Sequence, residues 1–142
     1  MRNVFLDANI IIDWLVSKSS NHEICKKTVD ISLNKSRNTF VSPTTIAITS
    51  YFLYKHYKSE TKAKKIAQEI YEPFCITTEN QEIVKEALNS KFTDLEDAIQ
   101  YHSAFYSKLD VIITQNQHDF THSKIAVISP QEFCEFYKLA AF

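Results

Sequence analysis

Acidic and amide side chains cluster in three short segments of this chain. Asp7 stands in F-L-D-A-N-I-I-I-D, Asp94 and Asp97 in T-D-L-E-D-A-I, and Asn116 and Asp119 in T-Q-N-Q-H-D-F. Asp7 directly follows the apolar run Val4-Phe5-Leu6. A carboxylate leaving a buried strand is costly unless it is paired, hydrogen-bonded or metal-bound. The competing use of Asp7 or Asn9 is as an N-cap for the segment that follows. Asp94 and Asp97 share one helix face with Tyr101, opposite an apolar face of Leu95, Ile99, Phe105 and Tyr106, so that both carboxylates aim at one point. Thr93 and Glu96 form a T-x-x-E capping box, which accounts for Glu96 without any function. Acids in a first helical turn also gain from the macrodipole. Asn116 suits a turn and Asp119 a turn cap.

Carboxylates brought together repel and raise each other's pKa unless a cation sits among them. All-oxygen donors without Cys or His suit Mg²⁺ or Mn²⁺. Such ions lower the pKa of a bound water and neutralise charge on a phosphoryl group, the chemistry of phosphodiester hydrolysis. His118 and His122 are spaced i, i+4 but have no Cys or third His beside them, a poor set for zinc. The glycine count is 0 in 142 residues. That excludes the G-x-G-x-x-G dinucleotide loop, the Walker A loop and the G-x-S-x-G nucleophile elbow.

The elements that must position these residues are legible as alternating patterns. Val4–Leu6, Thr39–Val41, Phe74–Ile76, Val111–Ile113 and Ile125–Ile128 are short apolar runs without polar alternation, as expected of strands buried on both faces. Helical spacing covers Ile10 to about Ser17, Glu23–Leu33, residues 44–57, 60–71, 79–89, 94–108 and 131–139, with Asn89 placed for the C-terminal cap that Gly would otherwise supply. Strands alternating with helices imply an α/β fold, a three-layer α/β/α sandwich on a mostly parallel five-stranded sheet. Ligands in such folds gather beyond the carboxyl ends of the strands, where all three segments fall.

Length argues for a single domain over residues 1–142, large enough to bury a core without disulfides or a structural metal. The odd, scattered cysteines (Cys25, Cys75, Cys134) suit buried thiols in a reducing cytoplasm. The stretch Val4–Val16, interrupted by Asp7 and Asp13, is neither a signal peptide nor a membrane span. Residues 1–65 hold 11 Lys/Arg against 5 Asp/Glu, and residues 66–142 hold 5 against 12. One half can therefore face an anionic partner while the other gathers carboxylates.

With these segments in hand, the chain resembles the PIN-domain family, and within it the VapC-like toxins of bacterial toxin–antitoxin pairs. The resemblance covers essentially the whole chain and implies a PIN-like five-stranded sheet. It further implies a Mg²⁺- or Mn²⁺-dependent endoribonuclease, frequent homodimers, and an antitoxin that blocks the acidic pocket. It places Asp7, Asp97 and Asp119 as metal ligands, with Asn116 orienting a water or phosphate and Asp94, Asn9 and Thr114 supporting them from behind. The resemblance is incomplete in two respects, the first being that Asn116 stands where many members carry Asp. Second, many members carry a Glu in the helix after the second strand, whereas residues 41–58 here hold no acid and Ile48 falls near that position. Thr45 or Thr49 could hold a metal-bound water there but not supply the missing charge, so divalent affinity should fall. Lys18, Lys55, Lys58 and Lys62 are candidates for contacts to an RNA backbone.

Two other classes bear on the same residues. A PIN fold with a depleted site would bind RNA or a protein partner without cutting it. A phosphotransferase of the haloacid-dehalogenase type would need an acid at Asn9 and room for a cap domain, and a phospho-receiver domain an acidic pair beside the first strand.

Overall fold

In the computed structural model, which describes residues 2–140, the apolar runs are strands and the helical periods are helices. In chain order these are β1 (Asn3–Leu6), α1 (Ala8–Leu15), α2 (His22–Lys35), β2 (Asn38–Val41), α3 (Pro43–Tyr57), α4 (Glu60–Tyr71), β3 (Cys75–Ile76), α5 (Gln81–Leu88), α6 (Leu95–Tyr106), β4 (Val111–Ile113), β5 (Ala126–Ile128) and α7 (Pro130–Ala140). A 3₁₀ turn, Gln117–Phe120, lies between β4 and β5.

The five strands make one sheet in the order β3-β2-β1-β4-β5, and every pairing is parallel. From β1 the chain winds outward through β2 and β3, then returns to the other side for β4 and β5. The strand order therefore reverses between β1 and β4, and the crevice beyond their carboxyl ends is the topological switch point where such folds bind ligands. Asp7 follows β1 and Thr114 follows β4.

Alternation along the central strands divides the core into two layers. Val4 and Leu6 of β1 with Val111 and Ile113 of β4 pack among Ile10, Ile11, Val29 and Phe133. Phe5 and Ile112 turn to the other face, against Tyr101, Ala104, Leu109 and Phe120. The sheet is thus covered on both sides, which explains strands that read as continuous apolar runs.

The structure corrects several expectations. Helix α1 starts at Ala8, two residues before the apolar period begins, because extended backbone at Asp7 (φ −63°, ψ 152°) passes directly into the helix. Helix α6 does not bury Leu95, Phe105 and Tyr106, which are exposed; it buries Ala98, Gln100, Tyr101, Ser103 and Ala104. Small residues let the helix approach closely, and the Ser103 hydroxyl lies 2.6 Å from Thr77 Oγ1 and 2.7 Å from the Thr78 carbonyl, so its polarity is satisfied inside. Counting apolar residues misassigns such a face.

Asn89 does end α5, but at φ −98° it is outside the left-handed region, and its Nδ2 donates to the Lys85 carbonyl at 2.9 Å. The left-handed positions are instead Lys58 (φ 53°), closing α3, and Lys108 (φ 57°), between α6 and β4. Of the three free cysteines, Cys25 and Cys134 are buried but Cys75 is only half-buried. Burial, with smaller effects of Asp13 and Cys134, pushes the Cys25 thiol up to about 12. Among the described residues no helix is long and apolar enough to cross a membrane.

A side chain bearing Cβ pays a steric penalty in the left-handed region, partly offset by the greater unfolded-state entropy of Gly. Lys108→Gly should therefore raise stability by roughly 0.5–1 kcal/mol. Urea unfolding at constant m-value checks this.

Candidate functional site

The site begins with a carboxylate that has almost no access to water: Asp7 is 2% exposed. It occupies the N-cap position of α1, yet its side chain makes no capping bond. Its Oδ2 instead accepts from Thr114 Oγ1 at 2.6 Å and from Asn9 Nδ2 at 3.0 Å. Thr114 Oγ1 also accepts from Asn9 Nδ2 at 3.3 Å and from the Asn116 N–H at 3.0 Å. Two donors already point at that oxygen, so its single proton is directed to Asp7. Asn9 and Thr114 therefore do stand behind the carboxylate. Gln115 extends the link from β4 to α1: its Nε2 donates to Asp13 Oδ2 at 2.7 Å and to the Asn9 carbonyl at 3.2 Å. Burial raises the pKa of Asp7 most strongly and the charge of Asp119 adds to it, opposed by the Thr114 hydroxyl, the Ala8 N–H and the Gln100 amide.

Helix α6 brings the second acid. Asp94 caps it, accepting the Asp97 N–H at 2.9 Å, so the Thr93–Glu96 capping box expected from the sequence does not form. Asp94 is one residue nearer the helix than Thr93, and Asp is at least as good a capping acceptor as Thr. Glu96 is thereby released, and its carboxyl is raised by burial and then by the charges of Asp7 and Asp94. Asp97 is pushed up to about 7, first by burial and then by Asp7, Asp94, Asp119 and Glu96 in that order. Four carboxylates thus act on Asp97, and it acts in a field that only a cation or a proton relieves.

Gln100, one turn after Asp97, is fully buried. Its Oε1 accepts from the Ala8 N–H at 3.1 Å and from Thr45 Oγ1 at 3.2 Å, while its buried Nε2 makes no hydrogen bond of good geometry and acts on the Asp7 carboxylate only electrostatically. This amide joins α6 to the start of α1 and the start of α3. Nothing in the sequence singled it out, because a Gln in a helix reads as surface; Glu96 was missed because the capping box explained it away. Thr45 and Thr49 are also committed internally, Thr45 to Gln100 and Thr49 to the Thr45 carbonyl and Tyr71 Oη. Neither matches the expected role of holding a water, and both are fully buried. Ile48 is half-buried.

The third segment forms the rim. Asn116 precedes the 3₁₀ turn with φ −118° and ψ 60°, its carbonyl accepts the Asp119 N–H at 3.0 Å, and its side chain is exposed. Asp119 is half-buried, pairs with His118 Nε2 at 3.2 Å, and is close enough to raise both Asp7 and Asp97. The structure therefore brings Asp7, Asp94, Asp97 and Asp119 into one electrostatic group at the β1/β4 switch point, with Glu96 added and Asn116 beside it.

The donors are all oxygen, as a hard divalent cation prefers. Among the described residues, however, no three His, Cys, Asp or Glu side chains converge closely enough to enclose an ion. Mg²⁺ commonly keeps several waters and takes only one or two carboxylates plus substrate phosphates. A group of acids that does not itself enclose an ion fits that mode of binding.

The sequence matches the PIN domain over residues 3–118. Among solved structures the chain is similar to a toxin–antitoxin complex from Klebsiella pneumoniae (23% identity, TM-score 0.66, covering 89% of this chain and 97% of that one). It is also similar to VapBC2 from Rickettsia felis bound to a promoter DNA fragment (10%, TM-score 0.67, 89% and 98%). A third is Mycobacterium tuberculosis VapC20, a toxin that cleaves the sarcin–ricin loop (10%, TM-score 0.59, 77% and 86%). No curated relative matches by sequence.

Two outcomes follow from the acidic group. Asp97 titrates at about 7 in the native state against ~3.9 unfolded, so the native state binds more protons across that interval and stability falls as pH rises through it. Without divalent ions, the Tm should decline between about pH 5 and pH 7.5, and Asp97→Asn should flatten the decline and exceed wild type at the upper end. Gln100→Leu should cost roughly 1–3 kcal/mol in urea unfolding, because it leaves the buried Ala8 N–H and Thr45 hydroxyl without their acceptor.

Proposed function

This chain belongs to the PIN-domain family, and from that premise we propose that it is a divalent-metal-dependent endoribonuclease, the toxin of a toxin–antitoxin pair. The observation that carries the reading is the gathering of carboxylates at the switch point of the sheet, where Asp7, Glu96 and Asp97 are each raised by burial and by neighbouring acids, Asp94 and Asp119 among them. A cluster of acids raising one another's pKa costs stability, and is retained where a cation and an anionic substrate compensate it.

In this reading Asp7, Asp97 and Asp119 hold Mg²⁺ or Mn²⁺. When bound, the ion lowers the pKa of a water and neutralises charge developing on the phosphoryl oxygens. The side chains do the rest. Asp7 is held by Thr114 and Asn9 through one oxygen, which limits its freedom to reorient. Asp94 fixes the first turn of α6 and hence the position of Asp97. Asn116, exposed at the rim, orients a water or a phosphate. No side chain need be the nucleophile.

The partners proposed are RNA as substrate and a cognate antitoxin that covers the acidic pocket, since the similar solved structures include toxin–antitoxin complexes. The outer face of α3, with Tyr51, Phe52 and Tyr54 exposed, is the proposed homodimer face. A cytoplasmic site of action is proposed with them.

A second reading has a specific observation in its favour. Helix α3 contributes no carboxylate to the pocket, and its two buried threonines are used internally. A pocket with fewer charges binds a divalent ion more weakly, which would leave a module that holds RNA or protein without cutting.

The test is cleavage of a fluorogenic single-stranded RNA by purified protein in Mn²⁺, Mg²⁺ or chelator, beside Asp97→Asn purified identically. Metal-dependent cleavage falling by about 10²-fold or more in the variant is the expected result. Equal cleavage by both identifies a contaminating ribonuclease. A folded wild type that cuts nothing overturns the enzyme in favour of the binding module.

A further inference from the structure

Helix α6 carries Tyr101 and Phe105 at i+4 and i+8 from Asp97, Tyr101 buried and Phe105 exposed, so an aromatic row leads along the helix away from the acidic group and reaches solvent at Phe105 and Tyr106. The rings on it are arranged for stacking. Tyr101 lies nearly parallel to Phe92 (4.9 Å between centroids, 27°) and to Phe105 (5.8 Å, 25°). Phe105 is 38% and its edge-on neighbour Tyr106 52% exposed. Beside them a cavity of about 310 Å³ is bordered by Lys91, Lys124, His102 and His122, with Glu86 as its one carboxylate. The Lys124 N–H donates to Tyr101 Oη at 3.0 Å, which fixes that segment against α6.

Charge distribution makes this combination informative. Residues 66–142 are strongly acidic and hold only five Lys, yet two of those five border this one cavity. Of the cations expected from the sequence to meet RNA, two lie well down α3. Lys55 follows Thr45, at the pocket end of α3, by ten residues, about 15 Å along the helix axis, and Lys58 is farther still. By the same measure Tyr101 and Phe105 lie only about 6 and 12 Å along α6 from Asp97.

We propose that the exposed rings of Phe105 and Tyr106, backed by the Tyr101–Phe92 stack and flanked by Lys91 and Lys124, are a shelf-like subsite for single-stranded RNA, stacking a nucleobase along α6 from the acidic group. The inference rests on the ribonucleolytic reading for the direction of the strand but not for binding itself. Aromatic faces accept any base, and lysines beside them take phosphates as point charges. At ~3.4 Å of rise per stacked nucleotide, the shelf engages bases about two to four nucleotides from the phosphate at the pocket. The subsite holds and aligns the strand; specificity at that distance comes from stacking strength.

The probe is a labelled single-stranded RNA 12-mer carrying one 2-aminopurine at successive positions, bound to the full chain in chelator so that nothing is cut. Wild type should quench 2-aminopurine at one or two adjacent positions. Tyr106→Ala with Phe105→Ala should abolish that quenching and weaken binding roughly tenfold. Lys91→Ala with Lys124→Ala should keep the quenching at saturating protein and reduce the salt dependence of log K by about 1.4, the loss of two phosphate contacts on a single strand. Thermal melts confirm folding, and the lysine pair, being fully on the surface, supplies the test if the aromatic pair unfolds. Binding and quenching by both variants equal to wild type overturn the proposal, as does a change confined to self-association or antitoxin affinity. A wild type that binds and quenches but cuts nothing with metal removes the nuclease and leaves the subsite standing. One that cuts RNA with the shelf variants unaffected removes the subsite and leaves the nuclease.

Discussion

The hydrogen bond from Thr114 to the buried carboxylate of Asp7 is the interaction on which the rest of this structure depends. It joins the ends of the two central strands at the place where the sheet reverses its winding order. Without it a carboxylate that is 2% exposed would lose the largest of the hydrogen-bonding contributions that oppose its desolvation. The threonine can serve because its own oxygen is saturated by Asn9 and by the Asn116 N–H, which leaves its proton nowhere else to go. A single hydroxyl thus fixes the carboxylate, the start of α1 and the entry to the 3₁₀ turn that carries Asp119.

Around that fixed point the molecule accumulates like charge. Asp97 feels four other carboxylates, and both it and Asp7 are held above the ordinary carboxylate range. Interiors rarely keep such an arrangement for stability, since each added acid raises the cost of ionising the others. Gln100 shows how the fold accommodates it with a neutral group. Its amide ties three helices together beneath the acids, and it does so without contributing further charge. The absence of a carboxylate on α3 belongs to the same economy of charge: Thr45, facing Gln100, bonds to it as a neutral partner.

The elements were readable to a useful degree from periodicity, because both physical signals were strong. Strands buried on two faces leave uninterrupted apolar runs, and all five runs form strands within a residue or so at each end. Helix α6 was placed correctly but turned the wrong way. Its buried side is built from Ala98, Ser103, Ala104 and Gln100, residues whose burial depends on partners distant in sequence, while three of its large apolar residues face outward. Local capping misled for a related reason. Thr93 and Glu96 satisfy the pattern, but Asp94 is the closer acceptor, and a competition between neighbours is settled by geometry.

The sequence by itself determined the three acidic segments, their order, and their attachment to the ends of strands and the start of a helix. Those are properties of residue type and short-range spacing, and a parallel sheet sends every strand end to one edge. Which acids act on one another, the addition of Glu96, the burial of Gln100 beside them and the internal use of Thr45 and Thr49 all came from packing. Each of those facts rests on contacts across tens of residues, such as Ala8 with Gln100 or Asp7 with Thr114. Pairwise electrostatics and hydrogen bonding act over a few ångströms of space, and separation along the chain carries no information about that distance until the sheet has brought its ends together.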